Sequence, residues 1–160
     1  MKSGFLITAR LKSTRLKKKI IKKIDKKPMI SHMVDRIKFF GKFDKIIICT
    51  SDLNQDKELV KIAKKNKIDI FCGHKDDVAK RLYDAAIFHK IDYIVNIPAD
   101  CPLVDLYHAN KILNVLKTKK SLDLVRSYHL PIGIFSYGFK TKTMKKILDI
   151  KNSADTEVWY

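Results

Sequence analysis

Short apolar runs alternate along this chain with segments of helical spacing, and that alternation restricts the fold more than any other feature of the sequence. The runs at 4–8, 45–50, 69–72 and 93–97 are shorter than an ordinary helix and have the character of strands covered on both faces. Pro28 opens a helical pattern in which Met29, Ile30, Met33, Val34, Ile37 and Phe40 share a face, and Gly41 marks its stop. Residues 56–66 read as a second helix with Leu59, Val60, Ile62 and Ala63 inward. Asp76 or Asp77 can cap a third, whose inner face holds Val78, Leu82, Ala85 and Ala86. The pattern predicts a helix over 105–116, strands over 122–125 and 132–139, and a last helix from Thr141 or Thr143 through Leu148. Successive β-α-β units of this kind imply an α/β fold, a mostly parallel sheet with helices on both faces.

With 160 residues, 46% of them apolar, the chain can bury one real core and reads as a single domain over 1–160. No apolar run approaches the roughly 18–20 residues of a membrane span. The run at 5–8 lacks a signal peptide's length and cleavage site, so a cytoplasmic protein without membrane contact is expected. Cys49, Cys72 and Cys101 are odd in number and widely spaced, which suits neither a disulfide framework nor a zinc site and leaves them as small apolar residues near strand ends. The net charge of +17 invites a nucleic-acid reading. The excess is dispersed lysine, however; arginine stands only at 10, 15, 36, 81 and 126, and no docking motif is evident. A solvated lysine surface with no nucleic-acid partner is therefore expected. Residues 156–160 hold the only Trp and end without a polar tail, which suits either a docked terminus or, the expectation favoured, an N-terminal portion of a longer chain.

Ligands of open α/β sheets bind beyond the carboxyl ends of the strands. After the first run come residues 9–19, Ala-Arg-Leu-Lys-Ser-Thr-Arg-Leu-Lys-Lys-Lys. Arg10, Arg15 and Lys19, with Ser13 and Thr14 among them, supply the forked donors, point charge and hydroxyls that a polyphosphate needs. Neither common glycine-rich phosphate loop occurs. After the fourth run comes Pro-Ala-Asp-Cys-Pro at 98–102, with Asp100 held between two prolines where it can bind a hard cation. Mg²⁺ takes one or two carboxylates and completes its shell with phosphate oxygens and water.

These segments resemble the CMP-sugar synthetase, or cytidylyltransferase, family, which includes CMP-KDO synthetases, acylneuraminate cytidylyltransferases and the spore-coat-polysaccharide type. Residues 9–16 with Lys19 resemble its nucleotide loop, and 27–30 with His32 and Arg36 the start of its first helix. Residues 77–81 with Tyr83, Ala85 and Ala86 resemble the middle helix of the spore-coat type, and 99–103 the metal-binding turn. The likeness spans roughly residues 4–139. It implies a Rossmann-like, nucleotide-diphospho-sugar transferase-like fold. It also implies an enzyme that transfers CMP from CTP to an acidic or modified sugar with Mg²⁺, releasing pyrophosphate, for surface polysaccharide or glycan biosynthesis.

Carried over residue by residue, the resemblance implies that Ala9, Arg10, Ser13, Thr14, Arg15 and Lys19 line the nucleotide, that Arg15, Lys19 and Asp100 are catalytic, and that Asp100 holds the metal. Thr50 and Ser51 match the family's second nucleotide-facing loop, and Arg81 is either a nucleotide or substrate contact or a helix-surface ion pair. The likeness does not place the family's second metal carboxylate, for which Asp155 and Glu157 are the candidates. The chain departs from the family at Lys12, usually Gly, at Lys17 and Lys18, usually a Pro-Gly pair, and at Ala99, usually Gly. Loss of Gly removes easy access to positive φ. CTP and a sugar acceptor are the implied partners, with room for a homodimer. The alternatives are a nucleotidyltransferase of the same fold using another NTP, and a non-catalytic protein binding nucleotide or polyanion.

Overall fold

The computed structural model describes residues 1–13 and 15–152. Thr14, Asp155, Glu157 and the aromatic end at 156–160 lie outside the described residues. The elements are β1 (Ser3–Thr8), β2 (Lys23–Ile24), β3 (Lys27–Pro28), α1 (Met29–Phe40), β4 (Lys45–Ser51), α2 (Lys57–Lys65), β5 (Asp69–Gly73), α3 (Val78–Phe88), β6 (Tyr93–Pro98), α4 (Leu106–Thr118), β7 (Leu124–Arg126), β8 (Tyr137–Lys140) and α5 (Thr141–Ile150).

Six strands form one sheet in the order β5-β4-β1-β6-β8-β7. β5, β4, β1 and β6 run parallel, whereas β8 is antiparallel to both β6 and β7. The reversal follows from the connection: 127–136 joins β7 to β8 without a crossover helix, and a pair joined that way must be antiparallel. Strand alternation supplies both faces. Phe5 and Ile7 of β1 pack with Ile30 and Met33 of α1, Leu59 of α2 and Ile112 of α4 on one face. Leu6 packs with Leu82 and Ala85 of α3 and Met144 of α5 on the other. The α/β class with helices on both faces is thus the observed architecture. α4 lies directly on the backbone of β8, where a Cβ at Gly138 would collide with Ile112 and Leu116.

Several details differ from the sequence pattern. β8 begins at Tyr137 because a turn occupies 132–134, with Gly133 at φ 91°. Phe40 is 57% exposed at the last position of α1, its ring edge-on to Phe39, and Val60 lies beside the buried Leu59–Ala63 stripe instead of within it. β2 and β3 form a small hairpin, turned through Asp25 and Lys26, both at positive φ. α2 and α3 end alike. Lys67 (φ 51°) and Lys90 (φ 56°) take the left-handed position after the cap. Ile68 N–H then donates to Ala63 O (3.2 Å) and Ile91 N–H to Ala86 O (2.8 Å), which closes a Schellman motif on each helix. Among the described residues no helix is long and apolar enough to cross a membrane.

Candidate active site

The parallel strands deliver their carboxyl ends to one side of the sheet, and the loops that leave them are laced together there. Ala9 N–H donates to Cys49 O (3.0 Å) and Ala99 N–H to Thr8 O (2.8 Å), so the loops after β1 and β6 depart in register. Both alanines are buried. Asp56, fully buried ahead of α2, receives Leu11 N–H at one oxygen (2.7 Å) and the Ser51 hydroxyl at the other. It makes no side-chain cap to α2; its carboxylate fastens the loop after β1 to the end of β4 instead. Ser51 is therefore a brace behind the loop. Thr50 is also fully buried, and its hydroxyl has no hydrogen-bond partner among the described residues.

Two arginines converge on residues 74–77, the connection from β5 to α3. Arg10 donates to the Lys75 carbonyl and lies 3.6 Å from Asp76. Arg81 donates from Nη1 to the His74 carbonyl (2.6 Å). Arg81 is fully buried, not on the helix surface, so the ion-pair reading of it falls. Its Nε and Nη2 have no hydrogen-bond partner among the described residues. Burial, and next the like charge of Arg10, push its pKa below the usual guanidinium value.

The remaining donors of the loop are more open. Ser13 Oγ accepts Leu16 N–H (3.4 Å). Arg15 is exposed, with no ion pair to any described residue. Lys18 stands at φ 54°, the left-handed conformation that glycine favours, and its ammonium meets Glu58 (2.9 Å). A lysine thus takes positive φ at the position where the resemblance implies a glycine.

Lys19 joins the loop to the opposite turn. Its Nζ lies 2.6 Å from Asp100 Oδ2, with both side chains more than a third exposed. The turn itself is held by Cys101 N–H to Pro98 O (3.1 Å), and from α1 by Arg36, which donates to the Pro102 carbonyl (2.8 Å). Cys101 Sγ is 3.9 Å from Asp100 Oδ1. Burial, then the Asp100 charge, raise the thiol's pKa to about 11, so it stays protonated at neutral pH. Among the described residues no three His, Cys, Asp or Glu side chains gather in a metal-binding group. Asp100 offers one carboxylate, which suits a Mg²⁺ that draws its other ligands from phosphate and water. Two clefts of about 470 and 480 Å³ lie elsewhere, around Lys38 and Lys67, and include none of these residues.

Arg10, Ser13, Arg15, Lys19 and Asp100 thus share one end of the sheet, with Lys19 and Asp100 in contact, while Thr50, Ser51 and Arg81 form the buried support beneath. Sequence reasoning missed Asp56, His74 and the Arg36 brace. An acidic residue directly ahead of an amphipathic stripe was the available signal for Asp56, and that signal also reads as a helix start.

A family model described as cytidylyltransferase matches residues 5–157. An uncharacterised protein of Methanocaldococcus jannaschii is 30% identical over 146 residues, 91% of this chain and 60% of its own. A 3-deoxy-manno-octulosonate cytidylyltransferase of Nitratiruptor sp. is 29% identical over 156 residues, 93% of this chain and 62% of its own. The solved structure of a cytidylyltransferase from Leptospira borgpetersenii superposes with a TM-score of 0.89 at 30% identity, over 96% of this chain and 66% of that one. The chain therefore spans about three fifths of the length of the curated relatives it matches.

Proposed function

This chain belongs to the cytidylyltransferase family, and from that premise we propose that it serves to transfer the CMP group of CTP to an acidic or modified sugar, with pyrophosphate leaving. The observation that carries the reading is the Lys19–Asp100 contact, which unites a basic loop and an acidic turn at the carboxyl end of a parallel sheet. Arg10, Ser13, Arg15 and Lys19 would bind the triphosphate and spread its negative charge over fixed donors. Asp100 would hold a Mg²⁺, which supplies further charge neutralisation on the phosphates when bound. Asp56 and Ser51 keep the loop in place, and Arg36 keeps the turn in place. Attack by an acceptor hydroxyl on the α-phosphate would then require mainly positioning and electrostatic stabilisation. Because relatives bear that name, 3-deoxy-manno-octulosonate is the first acceptor to try in a pyrophosphate-release assay.

Calorimetry with CTP, UTP, ATP and GTP tests the nucleotide. CTP should bind tightest, and Asp100→Asn should abolish the Mg²⁺-dependent part of the signal with the circular dichroism spectrum retained. Equal, salt-sensitive binding of every polyanion would sink the reading and leave a diffuse lysine surface as the ligand site.

A further inference from the structure

A histidine ring holds the connection between β5 and α3 by acting as an acceptor. Nδ1 of His74 receives the backbone N–H of Asp77 (2.8 Å) and, more weakly, that of Asp76 (3.3 Å). Backbone N–H groups only donate, so this nitrogen presents its lone pair and the ring is neutral, with its proton on Nε2. Asn, Asp, Ser and Thr side chains commonly fasten the start of a helix in this way. Histidine does it with a group that can gain a charge between about pH 5 and 8.

The same four residues are tied from three other sides. Arg81 of α3 donates to the His74 carbonyl, and Arg10 of the nucleotide loop donates to the Lys75 carbonyl. Asp77 caps α3 through Lys80 N–H (2.8 Å) and pairs with Lys151, just beyond α5 (2.5 Å). The Lys75 carbonyl can hold Arg10 in place only if 74–77 keeps its shape.

We propose that neutral His74 is a positioning residue: it fixes 74–77, and through the Lys75 carbonyl fixes Arg10, so that protonating its ring loosens nucleotide binding. This rests on the reading that Arg10 faces the nucleotide. A protonated ring has no lone pair at Nδ1, and both amide bonds are lost. The charged groups around the ring are Asp76, Asp77 and Lys75 of its own segment, Arg81 from α3, Arg10 from the loop after β1 and Lys151 from beyond α5. The two carboxylates attract an imidazolium, which turns the ring from the backbone amides toward their side chains. Burial works to raise the pKa of Asp77, but the Lys151 ammonium and the Lys80 N–H prevail and lower it. Asp77 therefore stays ionised at neutral and mildly acidic pH and does not contribute the step.

Two variants separate the roles. The Oδ1 of His74→Asn can accept the same amides at every pH, and His74→Ala cannot. Hydrogen exchange of the Asp77 amide, followed by NMR without nucleotide, reads the positioning, and calorimetry with CTP and Mg²⁺ reads its consequence. In the unmodified chain both protection and affinity should fall between about pH 7.5 and pH 5.5. His74→Asn should remove that step, and His74→Ala should bind CTP about three- to tenfold more weakly at neutral pH. Titration of the CTP phosphate is common to all three chains and cancels in the affinity ratios. Identical Asp77 exchange in the unmodified and Ala chains, or an affinity ratio to the Asn variant that ignores pH, overturns the inference. A pH-dependent amide without a matching change in affinity overturns the link to Arg10. If CTP binds at no pH, the functional reading fails, while the exchange data still decide whether His74 positions the segment.

Discussion

Asp56 carries more of the site's geometry than its sequence context suggests. With no exposed surface, it satisfies the Leu11 N–H and the Ser51 hydroxyl together. Asp56→Ala leaves two buried donors without acceptors, and stability should fall by about 1–3 kcal/mol, read as a lower urea midpoint. A change below about 0.5 kcal/mol would show that the loop is held in some other way. The placement of Arg10, Arg15, Lys19 and Asp100 at the carboxyl end of the sheet was legible in the sequence because charge type and position after a strand are both visible there. Arg81 and Thr50 were legible only as residues of interest. That a guanidinium would be buried beneath a loop, or a hydroxyl left without a partner, depends on contacts between segments far apart in the chain, and no local pattern encodes those.

Helices α1 to α5 and the four parallel strands could be read from periodicity to within a residue or two, because long amphipathic stripes and short apolar runs dominate their segments. The β2–β3 hairpin could not. Two-residue strands have no period, and its turn uses Asp25 and Lys26 where glycine would have been the signal. The Schellman closures of α2 and α3 hide for the same reason, since lysine stands at both left-handed positions. An L-residue in that conformation costs about 1–2 kcal/mol, and glycine escapes this at a smaller entropic cost. Lys90→Gly should therefore raise stability by about 0.5–1 kcal/mol in a urea melt, whereas Lys64→Gly inside α2 should lower it by a similar amount. Equal losses in both variants would mean that the left-handed turn carries no strain.

The whole molecule carries a net charge of +17, and its carboxylates restrain that excess. The Ser3 hydroxyl and N–H hold the pKa of Asp44 below the ordinary value. Burial opposes the same shift at Asp105, but the His108 ring and the N–H groups of His108 and Tyr107 prevail. The stability these groups contribute is complete above the ordinary carboxylate range and is lost as pH falls through their lowered folded values. Protonating all 17 acidic side chains also about doubles the net charge. The urea midpoint should fall steeply below about pH 4, with added salt restoring part of it. A flat acid limb would count against both terms. The reversed strand β8 has a different sort of consequence. By running antiparallel between β6 and β7, it returns β7 to the direction of β6, so 127–136 leaves the sheet on the side of the Asp100 turn. The contact is direct: Asp105 N–H donates to Ile134 O (2.8 Å), and a carbon added at Gly133 would lie 3.9 Å from Cys101 Sγ. Two halves of one sheet therefore meet at a common workplace without sharing a loop.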